Sequence, residues 1–229
     1  MNYKIIAYRA VDDQAMNKKF IEGHAQVLKD YGVTMITSNK PNWLDNDHVY
    51  CVVAFDETGE MVGGVRLHIA DWIHPLPLEN ALSELDPDVH KLVASFKEQG
   101  VGELCGLWNA KKVAGMGISL VLMRASIAII DQLDFKIAMG ICADYSLPIF
   151  QKVGFEVDTS LKNNGEFPYP TDKYITRVIG ILNASELGSA NEYDKEQILT
   201  LRNSPQITKN EEGKKGSFTV DYDLILKDV

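Results

Sequence analysis

The sequence predicts an α/β fold, an α+β arrangement in which a mixed central sheet is flanked by helices. Three observations carry this expectation. Residues 49–56 and 61–69 are apolar runs either side of Glu57-Thr58-Gly59-Glu60, the pattern of a β-hairpin. Residues 102–157 then read strand, loop, helix, strand, helix, strand, an order that requires a crossover within one sheet. The helix at 118–133 is apolar on most of its sides, so it must be buried.

Each element has a local reason. Residues 3–9 form an opening strand, and Asp12 or Asp13 caps a helix with Met16, Phe20, Val27 and Tyr31 on one face, ended by Gly32. A mixed polar loop leads into the hairpin. Residues 71–100 form an insert containing Pro75, Pro77 and a helix. Asp86 is its N-cap, Pro87 its first turn, and Val89, Leu92, Val93 and Phe96 its inner face. A strand at 102–108, a loop at 110–117 and the buried helix follow, then a strand at 136–142. A short helix at 146–153 opens with Pro148 and closes on Gly154 before Phe155-Glu156-Val157. The remainder reads as a strand at 173–182, a helix at 192–202, a Lys/Glu/Gly-rich loop at 209–216 and a last strand at 217–226. Without a repeat or a linker, the expectation is one domain over 1–229, with a core at about 49–157 and C-terminal strands and a helix over 173–229.

Composition narrows the function. The net charge of −9 disfavours phosphate-tracking nucleic-acid binding, which needs clustered Lys and Arg. Ser119, Arg124 and Ser126 interrupt the apolar run 118–130, which falls short of the roughly 20 residues that span a bilayer. The start, MNYKIIAYRA, lacks the layout of a secretory signal, so a cytoplasmic protein with no membrane span is expected. Cys51, Cys105 and Cys142 are odd in number, far apart and set in apolar stretches, which predicts buried thiols instead of a disulfide frame or zinc cluster. His24, His48, His68, His74 and His90 show no metal-ligand spacing, and no metal is expected.

The chemistry concentrates at Lys111-Lys112-Val113-Ala114-Gly115-Met116-Gly117, between a strand and the buried helix. Exposed amides and the positive end of a helix dipole make such a junction an anion site, and the two lysines would supply charge that the chain as a whole lacks. The glycines alone are equally compatible with a simple tight turn.

Lys112-x-x-Gly115-x-Gly117 resembles the Arg/Gln-x-x-Gly-x-Gly/Ala signature of the GNAT N-acyltransferase superfamily, with Lys in the first place. Downstream, Ser146-x-x-x-Phe150-Gln151-Lys152-Val153-Gly154-Phe155 resembles that family's Ala-x-x-x-Tyr-x-x-x-Gly-Phe, with Phe150 where Tyr is usual. The resemblance covers roughly 49–157. It implies a sheet splayed to admit a pantetheine arm and acetyl-CoA or a longer acyl-CoA as co-substrate. The pyrophosphate would lie on the amides of Val113, Ala114, Gly115, Met116, Gly117 and Ile118, beside Lys112, and Leu107 would line the thioester carbonyl. A second similarity runs through Trp43-Leu44-Asp45-Asn46-Asp47, Tyr50, Gly63-Gly64-Val65-Arg66-Leu67 and Glu103, in the order seen in acyl-homoserine-lactone (autoinducer) synthases and N-acyl amino acid synthases. This sequence departs from that pattern in lacking an Arg near His24 and in placing Gly106 where an Arg follows the Glu.

Amine acylation needs a base for the attacking ammonium and gains from an acid near the departing thiolate. Glu103 is the candidate base, the alternative being a solvated strand-end carboxylate. Tyr145 is the candidate acid in place of Phe150, the alternative being a packing aromatic. Arg66, Asp45, Asp47 and Trp43 would hold the acceptor, with Arg66 offering a bidentate carboxylate site, unless Arg66 is an outward strand residue paired to a neighbour. Trp72 and Trp108 would flank the same cleft. The leading expectation is an N-acyltransferase with a small amine or amino acid acceptor. The alternatives are a long-chain acyl amino acid or lactone synthase served by an acyl carrier protein, and a GNAT-fold sensing module without catalysis.

Overall fold

The computed structural model describes residues 1–32 and 42–227, so the polar loop expected after Gly32 lies in part outside the described residues. The chain opens with β1 (Asn2–Arg9) and α1 (Gln14–Asp30), followed by the hairpin β2 (Val49–Asp56) and β3 (Met61–Ile69). Asp13 caps α1, its carboxylate accepting the Met16 N–H at 2.9 Å. Phe20 faces inward as expected, together with Asn17 and His24, whereas Tyr31 follows the helix and is 65% exposed. The insert holds two helices where one was expected, α2 (Pro77–Leu82) and α3 (Asp88–Ser95).

The centre runs β4 (Val101–Asn109), α4 (Ile118–Ile129), β5 (Ile137–Ala143), α5 (Leu147–Lys152) and β6 (Glu156–Val157). A short turn, α6 (Lys162–Gly165), leads to β7 (Glu166–Pro168) and β8 (Ile175–Ile181), and α7 (Glu192–Asn203) precedes β9 (Gln206–Gly213) and β10 (Gly216–Asp223). The expected loop at 209–216 is therefore corrected: most of it is the edge strand β9, antiparallel to β10. Its side chains alternate between solvent and partial cover, so polarity marks an exposed edge here.

Among the described residues, the ten strands join one sheet in the order β6-β8-β5-β4-β3-β2-β1-β10-β9, with β7 beside β8. Helix α4 is the hub of one face: ten of its twelve residues are buried, against Val65, Leu67 and Leu104 from the sheet. The opposite face carries α1, whose Phe20 packs with Trp43, Val49, Cys51, Val53 and Trp108. Two glycines let α1 lie this close. A Cβ on Gly64 would sit 2.6 Å from the Phe20 ring, and one on Gly23 would sit 2.2 Å from Trp108.

Candidate active site

The site begins with a defect in the β3–β4 ladder. Gly64 pairs with Trp108 and Arg66 with Cys105, so Val65 alone stands opposite Gly106 and Leu107. This is a β-bulge, and Gly106 meets its demand for a left-handed backbone with φ of 60°. On its other side β4 pairs in parallel with β5 only from Val101 to Glu103. Beyond Glu103 the ladder between these two strands ends, a few residues before the bulge at Gly106 and Leu107.

Past the bulge the chain enters the glycine loop. Gly115 and Gly117 have φ of 83° and 87°, a region costly for any other residue. The expected row of free amides is shorter than Val113 to Ile118. The N–H groups of Val113, Ala114 and Met116 donate to Ala110, Lys111 and Val113 carbonyls within the loop. Those of Gly115, Gly117 and Ile118 have no such partner among the described residues, and the end of β9 packs beside them, a Cβ on Gly213 standing 3.1 Å from the Gly117 nitrogen. The Lys112 charge is paired in this structure. Its ammonium lies 2.6 Å from both Asp56 Oδ2 and Glu60 Oε2, pinning the loop to the β2–β3 turn and holding the Asp56 carboxyl well below its usual range. The stem of Lys215 instead crosses Gly115, where a Cβ would meet its Cε at 3.1 Å. Sequence reasoning left Lys215 in a loop, because the β9–β10 pairing that brings it here is a tertiary contact.

A cleft of about 690 Å³ opens over β3 on the α1 face, and Trp43, Asp45, Asp47, Arg66, His68 and Asp71 are among its lining residues. The structure thus brings the four expected acceptor residues together. Arg66 does not point outward: it is 1% exposed, its guanidinium carbon 4.4 Å from the Trp43 ring centroid, and it lies against Gly106, where a Cβ would stand 3.3 Å from Nε. Asp45 and Asp47 are exposed at the rim. Trp72 and Trp108 are not among the lining residues. Trp72 is 43% exposed, and Trp108 is buried against α1.

Glu103 is no solvated strand end. It is 1% exposed, one oxygen accepts the Leu78 N–H at 2.7 Å, and burial pushes its carboxyl up to about 8. Its other oxygen, Oε1, is buried without a hydrogen-bond partner among the described residues, as is Nε2 of His68. Such orphaned atoms are rare in folded proteins and call for a specific reason. His68 was passed over in the sequence because only metal spacing was sought, yet it lies two residues from Arg66 in a strand and so shares its face. Tyr145 stands apart, 82% exposed and with no hydrogen bond to orient its hydroxyl among the described residues. Phe150 is 6% exposed and packs edge-on against Phe155 at 5.5 Å, a core contact.

Comparison with solved structures gives the fold. The N-acyl amino acid synthase FeeM from uncultured soil microbes matches with a TM-score of 0.64 at 11% identity, over 85% of this chain and 98% of that one. The CoA-dependent acyl-homoserine lactone synthase BjaI, solved with SAM and isopentyl-CoA, matches with a TM-score of 0.54 at 14% identity, over 96% and 94% of the two chains. An acyl-CoA N-acyltransferase from Pseudomonas aeruginosa matches with a TM-score of 0.54 at 13% identity, over 78% and 99%. This protein has the fold of the GNAT N-acyltransferases. No protein-family model matches the chain, and no curated protein matches it. Among the described residues, no helix is long and apolar enough to cross a membrane, and no cluster of His, Cys, Asp or Glu is arranged to hold a metal ion.

Proposed function

We propose that the protein is an N-acyltransferase that moves an acetyl or longer acyl group from acyl-CoA to an amine, working in the cytoplasm as a single catalytic unit over residues 1–229. The observation that carries this reading is the placement of buried Glu103 where β4 leaves β5, between the bulge at Gly106 and the cleft over Arg66. The thioester would lie along β4 with its carbonyl at Leu107, and the pyrophosphate on the amides of Gly115, Gly117 and Ile118. Lys215 would supply the charge that Lys112 spends on Asp56 and Glu60. Glu103 is the base, and Tyr145, exposed at the strand-to-helix junction, is the candidate proton donor to the thiolate. A thiol with an ordinary pKa of about 8.5 also leaves readily with solvent as acid.

One observation favours an amino acid among amine acceptors. Arg66 is among the residues lining the cleft, packed against Trp43 and Gly106, and a guanidinium can pair with a carboxylate, while Asp45 and Asp47 at the rim suit an ammonium. The likeness to FeeM and BjaI supports the same synthase-like variant, whose donor would be a longer acyl-CoA or an acyl carrier protein. A sensing module without catalysis is the weaker reading, because a carboxyl kept buried with an unpartnered oxygen is a cost that passive binding does not need.

Calorimetric titration with acetyl-CoA, octanoyl-CoA and free CoA tests the donor site. All three are expected to bind, and Gly115→Val with Gly117→Val is expected to abolish binding. Unchanged affinity in the double variant would remove the phosphate loop from the account. Tighter binding of octanoyl-CoA would select the synthase-like variant.

A further inference from the structure

Glu103 has a problem as a base: it is 1% exposed and does not line the cleft in which an acceptor would sit. His68 does line it. The β3–β4 ladder places His68 directly opposite Glu103, and directly opposed side chains have Cβ atoms about 5 Å apart on the same face. The two unpartnered atoms, His68 Nε2 and Glu103 Oε1, are both buried on this face. We propose that His68 is a second proton carrier of this site, taking a proton from the acceptor's ammonium in the cleft and passing one to Glu103, directly or through one water. The proposal rests on the acyl-transfer reading above.

The step balances without creating a buried charge. An ammonium N–H bond breaks as a proton joins the ring nitrogen of His68 that faces the cleft. The N–H on the opposite ring nitrogen breaks as Glu103 becomes the acid, starting from its carboxylate form, the minority form at pH 7 for a carboxyl pushed up to about 8. The imidazole ends neutral, in its other tautomer. The freed amine attacks the thioester carbonyl, the C–N bond forms and the C–S bond breaks; the departing thiolate is protonated by Tyr145 or solvent, and the second proton on nitrogen replaces the one that donor gives up. The surroundings favour this direction. Burial and then the Arg66 charge hold the His68 imidazolium well below its usual range, opposed by Asp71, while burial raises Glu103. Other titratable groups nearby are Glu79 on α2, acting on Glu103 and paired with His90, His24 on α1, which burial lowers to about 4 and so keeps neutral, His74, paired with Asp71, and His48, Asp45 and Asp47 at the cleft. The β2 residue opposite His68 is Val49, which carries no charge. A proton leaving the acceptor therefore comes to rest on Glu103.

The test compares acceptors that need deprotonation with acceptors that do not. Thiol release from acetyl-CoA or octanoyl-CoA is followed at pH 7 with a panel of amino acids and alkyl amines, which are protonated, and with hydroxylamine, which is neutral. His68→Asn and His68→Gln are both made, so that one poorly folded variant does not decide the matter, and donor affinity is checked by calorimetry. The expected result is a loss of about 100-fold in kcat/KM with protonated amines, the usual scale of acid–base assistance, shrinking to a few-fold with hydroxylamine. Equal losses with both acceptor types, or wild-type rates in both variants, would overturn the relay and leave acyl transfer standing. Absence of transfer by the wild-type protein to any acceptor would overturn both.

Discussion

Two buried arginines on opposite faces of the sheet are treated in contrasting ways. Arg124 on α4 is 4% exposed, and its neighbours saturate one another. Nε donates to Asp194 Oδ1 at 2.6 Å and Nη1 to Glu211 Oε2 at 2.8 Å, while Glu211 Oε1 accepts the Tyr222 hydroxyl at 2.8 Å. This cluster ties α4 to α7, β9 and β10. Around Arg66 the polar atoms are buried as deeply, yet Glu103 Oε1 and His68 Nε2 have no hydrogen-bond partner among the described residues, and His68 lines the cleft. Saturation is what stability selects, and an orphaned pair next to a cavity is what a proton-handling site needs.

The comparison breaks first at Arg124. Arg124→Met strands two buried carboxylates, and a loss of about 3–5 kcal/mol is expected from urea unfolding. A loss within error of zero would mean that the cluster is not a clasp. Glu103→Gln is expected to act in the opposite sense. An unfolded glutamate titrates near 4.5 and buried Glu103 near 8, so the folded state holds the extra proton between those values. Its contribution to stability is full below about pH 4.5 and is lost as pH rises to about 8. The glutamine variant should therefore gain stability relative to the wild type across that window, and a constant difference would contradict the burial of a titrating group. The smallest effect belongs to Lys112→Ala, which removes a half-exposed ion pair worth at most about 1 kcal/mol. Donor affinity is expected to stay unchanged, and a large loss would restore Lys112 to the phosphate site.

The sequence was most legible where one local pattern decides the outcome. The hairpin 49–69 and the buried helix beginning at Ile118 appear as expected, because two apolar runs about a turn and an all-round apolar surface are strong local patterns. Strand β9 was not legible. On a sheet edge its polar residues face solvent, and its one buried side chain, Glu211, is charged. Glu103 and Arg66 could be named from the sequence, but the depth of their burial depends on α1 and α2 covering the face. His68 was within reach through the two-residue period from Arg66. Lys112 was beyond reach, since Asp56 and Glu60 lie more than fifty residues away in the chain.

The most direct test of the central claim is thiol release from acetyl-CoA and octanoyl-CoA in the presence of a pooled set of amino acids and small amines, for the wild-type protein and Glu103→Gln. The account predicts acceptor-dependent release by the wild type and a loss of at least about 100-fold in the variant at neutral pH. Full turnover by the variant would remove Glu103 as the base, and no release by the wild type would contradict acyl transfer itself.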